Sequence, residues 1–475
     1  CALPIYSLDG GAGNDTLTIG AGIDTAEGGA GNDTIVLAAN YTVLDTINGG
    51  DGTDSVTITT SAATLTPVFT GVERITSTAA AGGTNTIALT SSTSVNRITV
   101  ADGSNVGTSF TSMGSGLVIN SDTGNTLTVD TVADAALTVN AAAANTNALT
   151  VADASSVTLV GSATSGTFGS VALDAVDTTA LTLKSSAATF VLGTGVISGT
   201  DKLASLAVAT VGSGGNVSTG DMADADSLTS VTVVASAGDV ALGEIGSTGG
   251  TASGTGETLA TITVTAAQAA EVTFDEIFAD TTNSVTDNDL TITASANDAG
   301  SFVKFDDVTN TFGAVTANLS GTQEVSFSEG SGIITANSVS VTRAGSGATT
   351  IDSIDATTTL TVVNNSSGTM TITTSDAEGD TNISTTAGVL AATTLSTDNV
   401  TLTGGSMDDT LVASGTTEAG KTHTLSGGAG ADGITGGGGN DVLLGGSGND
   451  TITAGAGKDS IDAGAGTDSI VMSTN

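Results

Sequence analysis

Aspartates recur every nine residues near the C-terminal side of the 475-residue chain, within segments rich in glycine. The segments GGAGADGIT, GGGGNDVLL, GGSGNDTIT, AGAGKDSID and AGAGTDSIV follow one another without a gap. Carboxylate oxygens, together with carbonyl oxygens presented by tight glycine turns, are the ligands that calcium prefers. The pattern therefore predicts calcium binding by this array. Its sixth-position aspartates are Asp432, Asp441, Asp450, Asp459 and Asp468.

The same nonapeptide pattern occurs near the N-terminal side, as GGAGNDTLT, IGAGIDTAE, GGAGNDTIV and, after a longer step, GGDGTDSVT. A degenerate copy, GGSMDDTLV, precedes the C-terminal array. A flexible linker has no reason to keep an apolar residue two positions after each aspartate, so the pattern favours ordered repeats. These copies add Asp15, Asp24, Asp33, Asp54 and Asp409 to the predicted calcium ligands, and Asp45, nine residues before Asp54, is added by its spacing.

The last three positions of each repeat alternate polar, apolar and polar, which predicts a short strand with one buried side chain. One turn cannot supply the roughly six to eight oxygen ligands that calcium takes, so stacked turns must share an ion. Two nonapeptides then form one 18-residue coil, and every second repeat lies on the same edge. This arrangement pairs Asp432 with Asp450, Asp450 with Asp468, and Asp441 with Asp459.

These repeats resemble the GGxGxDxUx consensus of the RTX (repeats-in-toxin) family. The resemblance implies a parallel β-roll that folds on calcium binding outside the cell, after unfolded export by type I secretion. Ala454, Ala463, Met407 and Ile19 depart from the consensus glycines, so we expect weaker binding there. By the resemblance, the carbonyl ligands come from Gly11, Gly13, Gly20, Gly22, Gly29, Gly31, Gly50, Gly52, Gly428, Gly430, Gly437, Gly439, Gly446, Gly448, Gly455, Gly457, Gly464 and Gly466.

Between these arrays the chain is rich in Thr, Ser, Ala, Val and Gly, with short strand-like segments such as TLTV at 126 and TITV at 261. Close neighbours among these segments are 9 to 12 residues apart, which predicts two strands per coil of about 20 residues in a β-solenoid. A β-sandwich is the alternative, but the absence of Trp and the presence of only 2 Pro favour the solenoid. We therefore predict an all-β chain with RTX repeats at 1–60, a solenoid-like region at 61–400 and an RTX β-roll at 401–475.

Composition narrows the function. With 49 acidic against 8 basic residues, the net charge of −41 disfavours nucleic acid and anionic membranes as partners. A single Cys and a single His, His423, argue against zinc enzymes, and we expect His423 to lie on the surface. The few Arg, Tyr and His residues are scattered and no catalytic motif stands out, so we expect no enzyme activity. No apolar run is long enough to span a membrane.

The combination of terminal repeats, extreme acidity and a Thr/Ala/Val-rich middle resembles the RTX-type (Caulobacter-type) bacterial S-layer proteins. That resemblance implies a structural protein of the cell surface that assembles with copies of itself in the presence of calcium and is anchored to lipopolysaccharide. An RTX adhesin or extracellular fibre subunit is the first alternative, and a non-catalytic fragment of an RTX exoenzyme is the second. Because the chain begins with Cys1, we expect a cut from a longer chain, with lipid modification as the alternative.

Overall fold

The computed structural model is built of β-strands, and the residues that it describes contain no helix. Contacts divide the chain into two compact units, Cys1–Asp224 (unit 1) and Ala225–Asn475 (unit 2). The three-part division expected from the sequence stays a prediction. The described residues are 5–37, 41–60, 64–79, 85–101, 108–121, 126–141, 148–161, 166–173, 177–185, 190–192, 197–198, 202–211, 215–222, 225, 227–246, 259–280, 289–328, 332–396, 398–415 and 421–472.

Unit 1 is a parallel β-solenoid in which strands pair with strands of the neighbouring coil. Its strands are β1 Ile5–Asp9, β2 Thr16–Ile19, β3 Ile23–Ala30, β4 Thr34–Leu37, β5 Thr46–Asp51, β6 Ser55–Thr60, β7 Thr64–Leu65, β8 Phe69–Thr70, β9 Arg74–Ala79, β10 Asn85–Ala88, β11 Arg97–Val100, β12 Thr108–Met113, β13 Leu117–Ser121, β14 Thr126–Ala141, β15 Ala148–Gly161, β16 Gly166–Phe168, β17 Val171–Ala172, β18 Ala180–Ser185, β19 Phe190–Leu192, β20 Ile197–Ser198, β21 Ser205–Thr210 and β22 Val217–Ser218.

Unit 2 has the same architecture. Its strands are β23 Ser230–Ala235, β24 Val240–Leu242, β25 Thr261–Ala266, β26 Glu271–Phe274, β27 Ile277–Asp280, β28 Leu290–Ala296, β29 Phe302–Phe305, β30 Val308–Gly321, β31 Val325–Phe327, β32 Ile333–Arg343, β33 Thr349–Asn364, β34 Met370–Ala377, β35 Thr381–Thr385, β36 Leu390–Thr394, β37 Val400–Thr403, β38 Thr410–Ala413, β39 His423–Ala429, β40 Gly433–Thr435, β41 Val442–Ser447, β42 Thr451–Thr453, β43 Ser460–Ala465 and β44 Ser469–Val471.

The repeats coil as their spacing predicts. In the C-terminal array Ile434 pairs with Ile452, and Ile452 with Ile470, each step being 18 residues (452 − 434 and 470 − 452). In the N-terminal array Leu17 pairs with Ile35 at the same step. Each coil contains two strands, because consecutive nonapeptides lie on opposite edges. The two-nonapeptide coil is therefore confirmed.

The middle is also a solenoid, and the β-sandwich alternative is wrong, because the pairings described within each unit are parallel whereas a sandwich is built from antiparallel sheets. Coils are longer than the expected 20 residues in places: Val240 pairs with Val272, a step of 32 (272 − 240). Many also contain a third short strand, such as β27, which pairs with the first part of β30. Alternation of apolar and polar residues does not reveal the loop lengths that set this difference.

The interior of each unit is filled by the alternate residues of its strands. Eighth-position residues such as Ile35, Ile434 and Leu443 are buried, whereas in the last two repeats Ile461 is half-buried and Ile470 is exposed. In unit 2, Phe274, Phe305 and Phe327 stack on successive coils with ring centroids 4.9 Å apart. Because the coils are in register, one apolar position in each coil forms a continuous column of buried side chains. Each coil is therefore stabilised mainly by contacts with its neighbours.

The Phe305→Ala substitution should remove the central ring of this stack and leave a cavity, with a loss of about 3–5 kcal/mol in unfolding free energy. Phe302→Ala is the matched control, because its half-buried ring lies 4.9 Å from Lys304 Nζ outside the stack and should lose only about 1 kcal/mol. Urea unfolding followed by circular dichroism measures both. Equal losses would mean that the stack adds nothing to stability.

Candidate calcium site

Glycine is required by the geometry of the repeat turns. Gly446 and Gly448 have φ of 112° and 139°, and a Cβ on either would collide with the carbonyl oxygen of Gly428 or Gly430 in the preceding coil. Stacked turns can approach this closely only without side chains. All the glycines predicted as carbonyl ligands share positive φ except Gly20 and Gly437.

The repeat aspartates of unit 2 form two carboxylate ladders, in which a backbone N–H of one coil donates to the carboxylate of the next. In the long ladder, Asp432 N–H donates to Asp450 Oδ1 (2.9 Å) and Asp450 N–H to Asp468 Oδ1 (3.0 Å). Asp409 N–H donates to Asp432 Oδ1 (2.8 Å), so the degenerate copy belongs to this ladder. The short ladder joins Asp441 N–H to Asp459 Oδ1 (3.0 Å). The predicted same-edge pairs therefore lie together.

Unit 1 contains ladders of the same kind. Asp15 N–H donates to Asp33 Oδ1 (2.8 Å), and Asp33 N–H to Asp54 Oδ1 (2.7 Å). On the other edge, Asp24 N–H donates to Asp45 Oδ1 (2.8 Å). The longer step before Asp45 and Asp54 thus leaves both ladders continuous.

The second oxygen of these carboxylates indicates which kind of ligand the ladders can bind. Oδ2 is buried and has no hydrogen-bond partner among the described residues at six positions: Asp15, Asp24, Asp33, Asp54, Asp432 and Asp450. A buried carboxylate oxygen without a partner is unfavourable, and stacking it beside its equivalents adds repulsion. A divalent cation satisfies both demands, so these residues fit calcium.

The first glycine of the repeat leaves open the space that the second carboxylate oxygen occupies. A Cβ on Gly445 would lie 2.5 Å from Asp450 Oδ2 and against the carbonyl oxygen of Ala463 in the next coil. Carboxylate and carbonyl oxygens therefore converge over the bare glycine. Ala454 and Ala463 carry a Cβ at the equivalent position, and Ile19 a larger side chain. The weaker binding expected there stays a prediction.

The ladders bring like charges together in a buried setting. Burial, reinforced by the carboxylates of Asp409 and Asp450, raises the pKa of Asp432 to about 6, although the Asp409 N–H opposes the shift. Burial also raises the pKa of Asp409 and of Asp54, in the latter case with help from Asp33 and Glu73. At these three positions the ionised carboxylate is therefore disfavoured unless a cation neutralises it.

His423 begins the short ladder, and its expected surface location is wrong. The side chain is fully buried, and its Nδ1 lies 3.3 Å from Asp441 Oδ1. Register explains this: Thr424 pairs with Val442, so His423 occupies the position that aspartate holds in the next coil. A lone histidine between repeat blocks carries no sequence signal for this placement.

Sequence reasoning also missed residues that extend the ladders. Glu73 Oε2 accepts the Asp54 N–H (2.8 Å) and so continues the aspartate column for one more coil. Fifth-position asparagines form a ladder of their own, in which Asn14 Oδ1 accepts the Asn32 N–H and Asn32 Oδ1 the Thr53 N–H, both at 2.8 Å. Asn440 and Asn449 repeat this contact in unit 2. The recurring Asn-Asp pair was the available signal.

Side chains alone do not complete a calcium site. No three His, Cys, Asp or Glu side chains converge closely enough to hold a metal in the described parts of the chain, so backbone carbonyls must supply further ligands. Two of the proposed carbonyls, those of Gly11 and Gly437, already accept the N–H of Ala30 and Ala456. The assignment of individual ligands therefore stays a prediction.

Stacked carboxylates over glycine turns define a calcium-binding β-solenoid, and comparison with known proteins agrees. The family model described as RTX calcium-binding nonapeptide repeat (4 copies) matches residues 9–39, 424–443 and 435–470. The chain thus carries RTX repeats, which bind Ca²⁺ and are typical of secreted proteins. No curated protein and no solved structure matched the chain. The ladders extend past the matched residues to Asp45, Asp54 and Asp409. Among the described residues, no helix is long and apolar enough to cross a membrane.

Calcium counting distinguishes inner from outer ladder positions. Asp450 has ladder neighbours on both sides, whereas Asp468 has one in the described structure. Asp450→Asn keeps the oxygen that accepts the Asp432 N–H but loses the charge, so it should remove more bound calcium than Asp468→Asn does. Isothermal titration gives the stoichiometry. Equal losses would contradict the sharing of ions between coils.

The raised pKa of Asp432 predicts how the calcium-free protein responds to pH. Between about pH 4 and 6 the folded state binds more protons than the unfolded state, so stability falls as pH rises through this window. Calcium-free thermal unfolding should therefore occur at a higher temperature at pH 4.5 than at pH 7. Asp432→Asn should weaken this dependence, while the exposed control Asp355→Asn should leave it unchanged. A wild-type midpoint that rises from pH 4.5 to 7 would refute the raised pKa.

Proposed function

We propose that the chain is a structural subunit of a calcium-dependent bacterial surface layer, exported by type I secretion and assembled from copies of itself. The observation that carries this proposal is an uncharged surface on unit 2, which we call the hydroxyl strip. It has two in-register columns of outward side chains: Thr261, Thr291, Thr316, Ser340, Thr361, Asn382 and Thr401 in one, and Thr263, Thr293, Asn318, Thr342, Val363, Ser384 and Thr403 in the other.

The strip suits contact between copies because of its charge and its regularity. At a rise of about 4.8 Å per coil, seven coils give a row about 29 Å long. A chain with net charge −41 repels its copies, and an uncharged strip is a place where two of them can approach. Hydroxyl and amide groups at a fixed repeat can then form hydrogen bonds across the contact.

Calcium contributes to assembly by neutralising carboxylate charge and by stabilising the coils. Ions bound to the ladders neutralise stacked carboxylates, and each ordered coil supports the next. A non-catalytic role is consistent with the placement of Arg343 and His423, both of which are fully buried and out of reach of a substrate. For the anchoring partner we propose lipopolysaccharide, on the family resemblance alone.

Negative-stain microscopy of the purified chain tests this function. With millimolar calcium the protein should form ordered arrays, and in EGTA with added NaCl it should not, because screening does not replace directional calcium bonds. Arrays in EGTA would refute the calcium dependence. A calcium-loaded protein that stays monomeric would instead favour the adhesin alternative.

Matched substitutions locate the contact. Thr293→Asp places a charge in the middle of the hydroxyl strip and should abolish arrays without changing calcium-dependent circular dichroism. Thr373→Asp places the same charge at an exposed position on a different strand, β34, and should leave arrays intact. Arrays that survive both changes would show that copies meet elsewhere.

A further inference from the structure

Arg343 is the last residue of β32, and its guanidinium is fully buried beside the turn that follows this strand. Its Nη2 donates to the carbonyl oxygens of Gln323 (2.8 Å) and Gly321 (3.3 Å), and its Nε to that of Gly347 (3.2 Å). Gly321 and Gln323 belong to the preceding coil and Gly347 to its own. The guanidinium therefore joins the turns of two successive coils.

The setting of this cation is unusual. Its hydrogen-bond partners in the described structure are all backbone carbonyls, and Nη1 is buried without one. Burying a charge without a carboxylate partner is expensive, so its positive charge must be matched by the surrounding carbonyl dipoles. A cation held by carbonyl oxygens from two coils has the same ligand chemistry as calcium in a repeat turn.

Register places Arg343 in the same column as the first glycine of the RTX repeats. Arg343 pairs with Asn364, and Asn364 with Thr385. The adjacent column runs through Ser384, Thr403, Ser426 and Leu444. The residues that directly follow these four in the chain are therefore aligned with one another as well. The resulting first-position column is Arg343, Asn364, Thr385, Gly404, Gly427 and Gly445.

In the part of this column that precedes the glycines, the side chains donate hydrogen bonds to carbonyl oxygens of the turns. Asn364 Nδ2 donates to the Gly368 carbonyl (3.1 Å), and Thr385 Oγ1 donates to the Gly388 carbonyl (3.0 Å). From Gly404 to Gly445 the column has no side chain, and the sixth-position carboxylate lies over the glycine instead. Along the column the donor side chain becomes smaller, from Arg343 to Asn364 to Thr385. The turns that contain an aspartate begin where the column changes to glycine.

We propose that Arg343 is the chain's own substitute for a calcium ion, so that the turn between Arg343 and Thr349 is closed by an internal cation and is independent of calcium. The RTX turns in the same column receive their cation from solution. Unit 2 therefore contains a segment whose protection from exchange is independent of calcium, adjoining one that calcium stabilises.

Hydrogen–deuterium exchange on the full chain, in calcium and in EGTA, tests this division. Removal of calcium should lower the protection of amides in the 427–432 turn at least about 100-fold, while protection in the 343–349 turn should change less than about threefold. Parallel loss in both turns would overturn the proposal.

Chemical rescue tests the role of the charge. Arg343→Gly should expose the 343–349 turn to exchange in both conditions, and about 10 mM methylguanidinium should restore protection by mass action. Methylurea, which has a similar shape but no charge, should not. Equal rescue by the two probes, or none by either, would contradict an internal cation.

A second pair of variants covers the case in which Arg343→Gly does not fold. Arg343→Lys keeps the charge, whereas Arg343→Gln keeps amide donors without it. The Lys variant should unfold at a higher temperature than the Gln variant, and its 343–349 turn should stay insensitive to EGTA. A Gln variant as stable as the Lys variant would overturn the proposal.

Discussion

Parallel in-register stacking places each residue about 4.8 Å from its equivalent in the next coil, so any repeated charge becomes a column of like charges. The carboxylate ladders use one oxygen of each aspartate to accept the neighbouring N–H, which stabilises the stack. The other oxygen remains buried among its equivalents, and the pKa of Asp432 is raised as a result. A counterion is therefore part of the fold in these coils rather than an addition to it.

In the described middle of the chain the same constraint is met by inward columns that are neutral, apart from Arg343 and from Glu73 at the end of an aspartate ladder. Thr349, Met370 and Leu390 occupy the sixth-position column just before Asp409. In unit 1 the inward column that runs through Ile98, Ile119, Val139 and Leu159 is apolar throughout. Such columns need no ion, so the fold can continue through the middle of each unit while its acidic residues remain on surfaces and in turns.

The sequence predicts the arrays well because a fixed nine-residue period determines coil length, edge and register together. It predicts the solenoid in the middle because strand composition and spacing exclude most alternatives, yet it does not predict coil length or the third strand, since these depend on loops without periodicity. Glu73 and His423 lie on the ladders through register alone. Arg343 resembles an ordinary surface charge until the coils are aligned.

A donor side chain at the first position and an aspartate at the sixth compete for the same space. A Cβ at Gly445 would lie 2.5 Å from Asp450 Oδ2, so in this turn the carboxylate occupies the space that a donor side chain would need. The change from Thr385 with Leu390 to Gly404 with Asp409 is such an exchange, made at both positions within one coil. In this column a long donor side chain and a carboxylate would overcrowd one turn, which accounts for the change from one kind of coil to the other between Thr385 and Gly404. The glycine column and the carboxylate ladder of unit 2 therefore begin in the same coil, at Gly404 and Asp409.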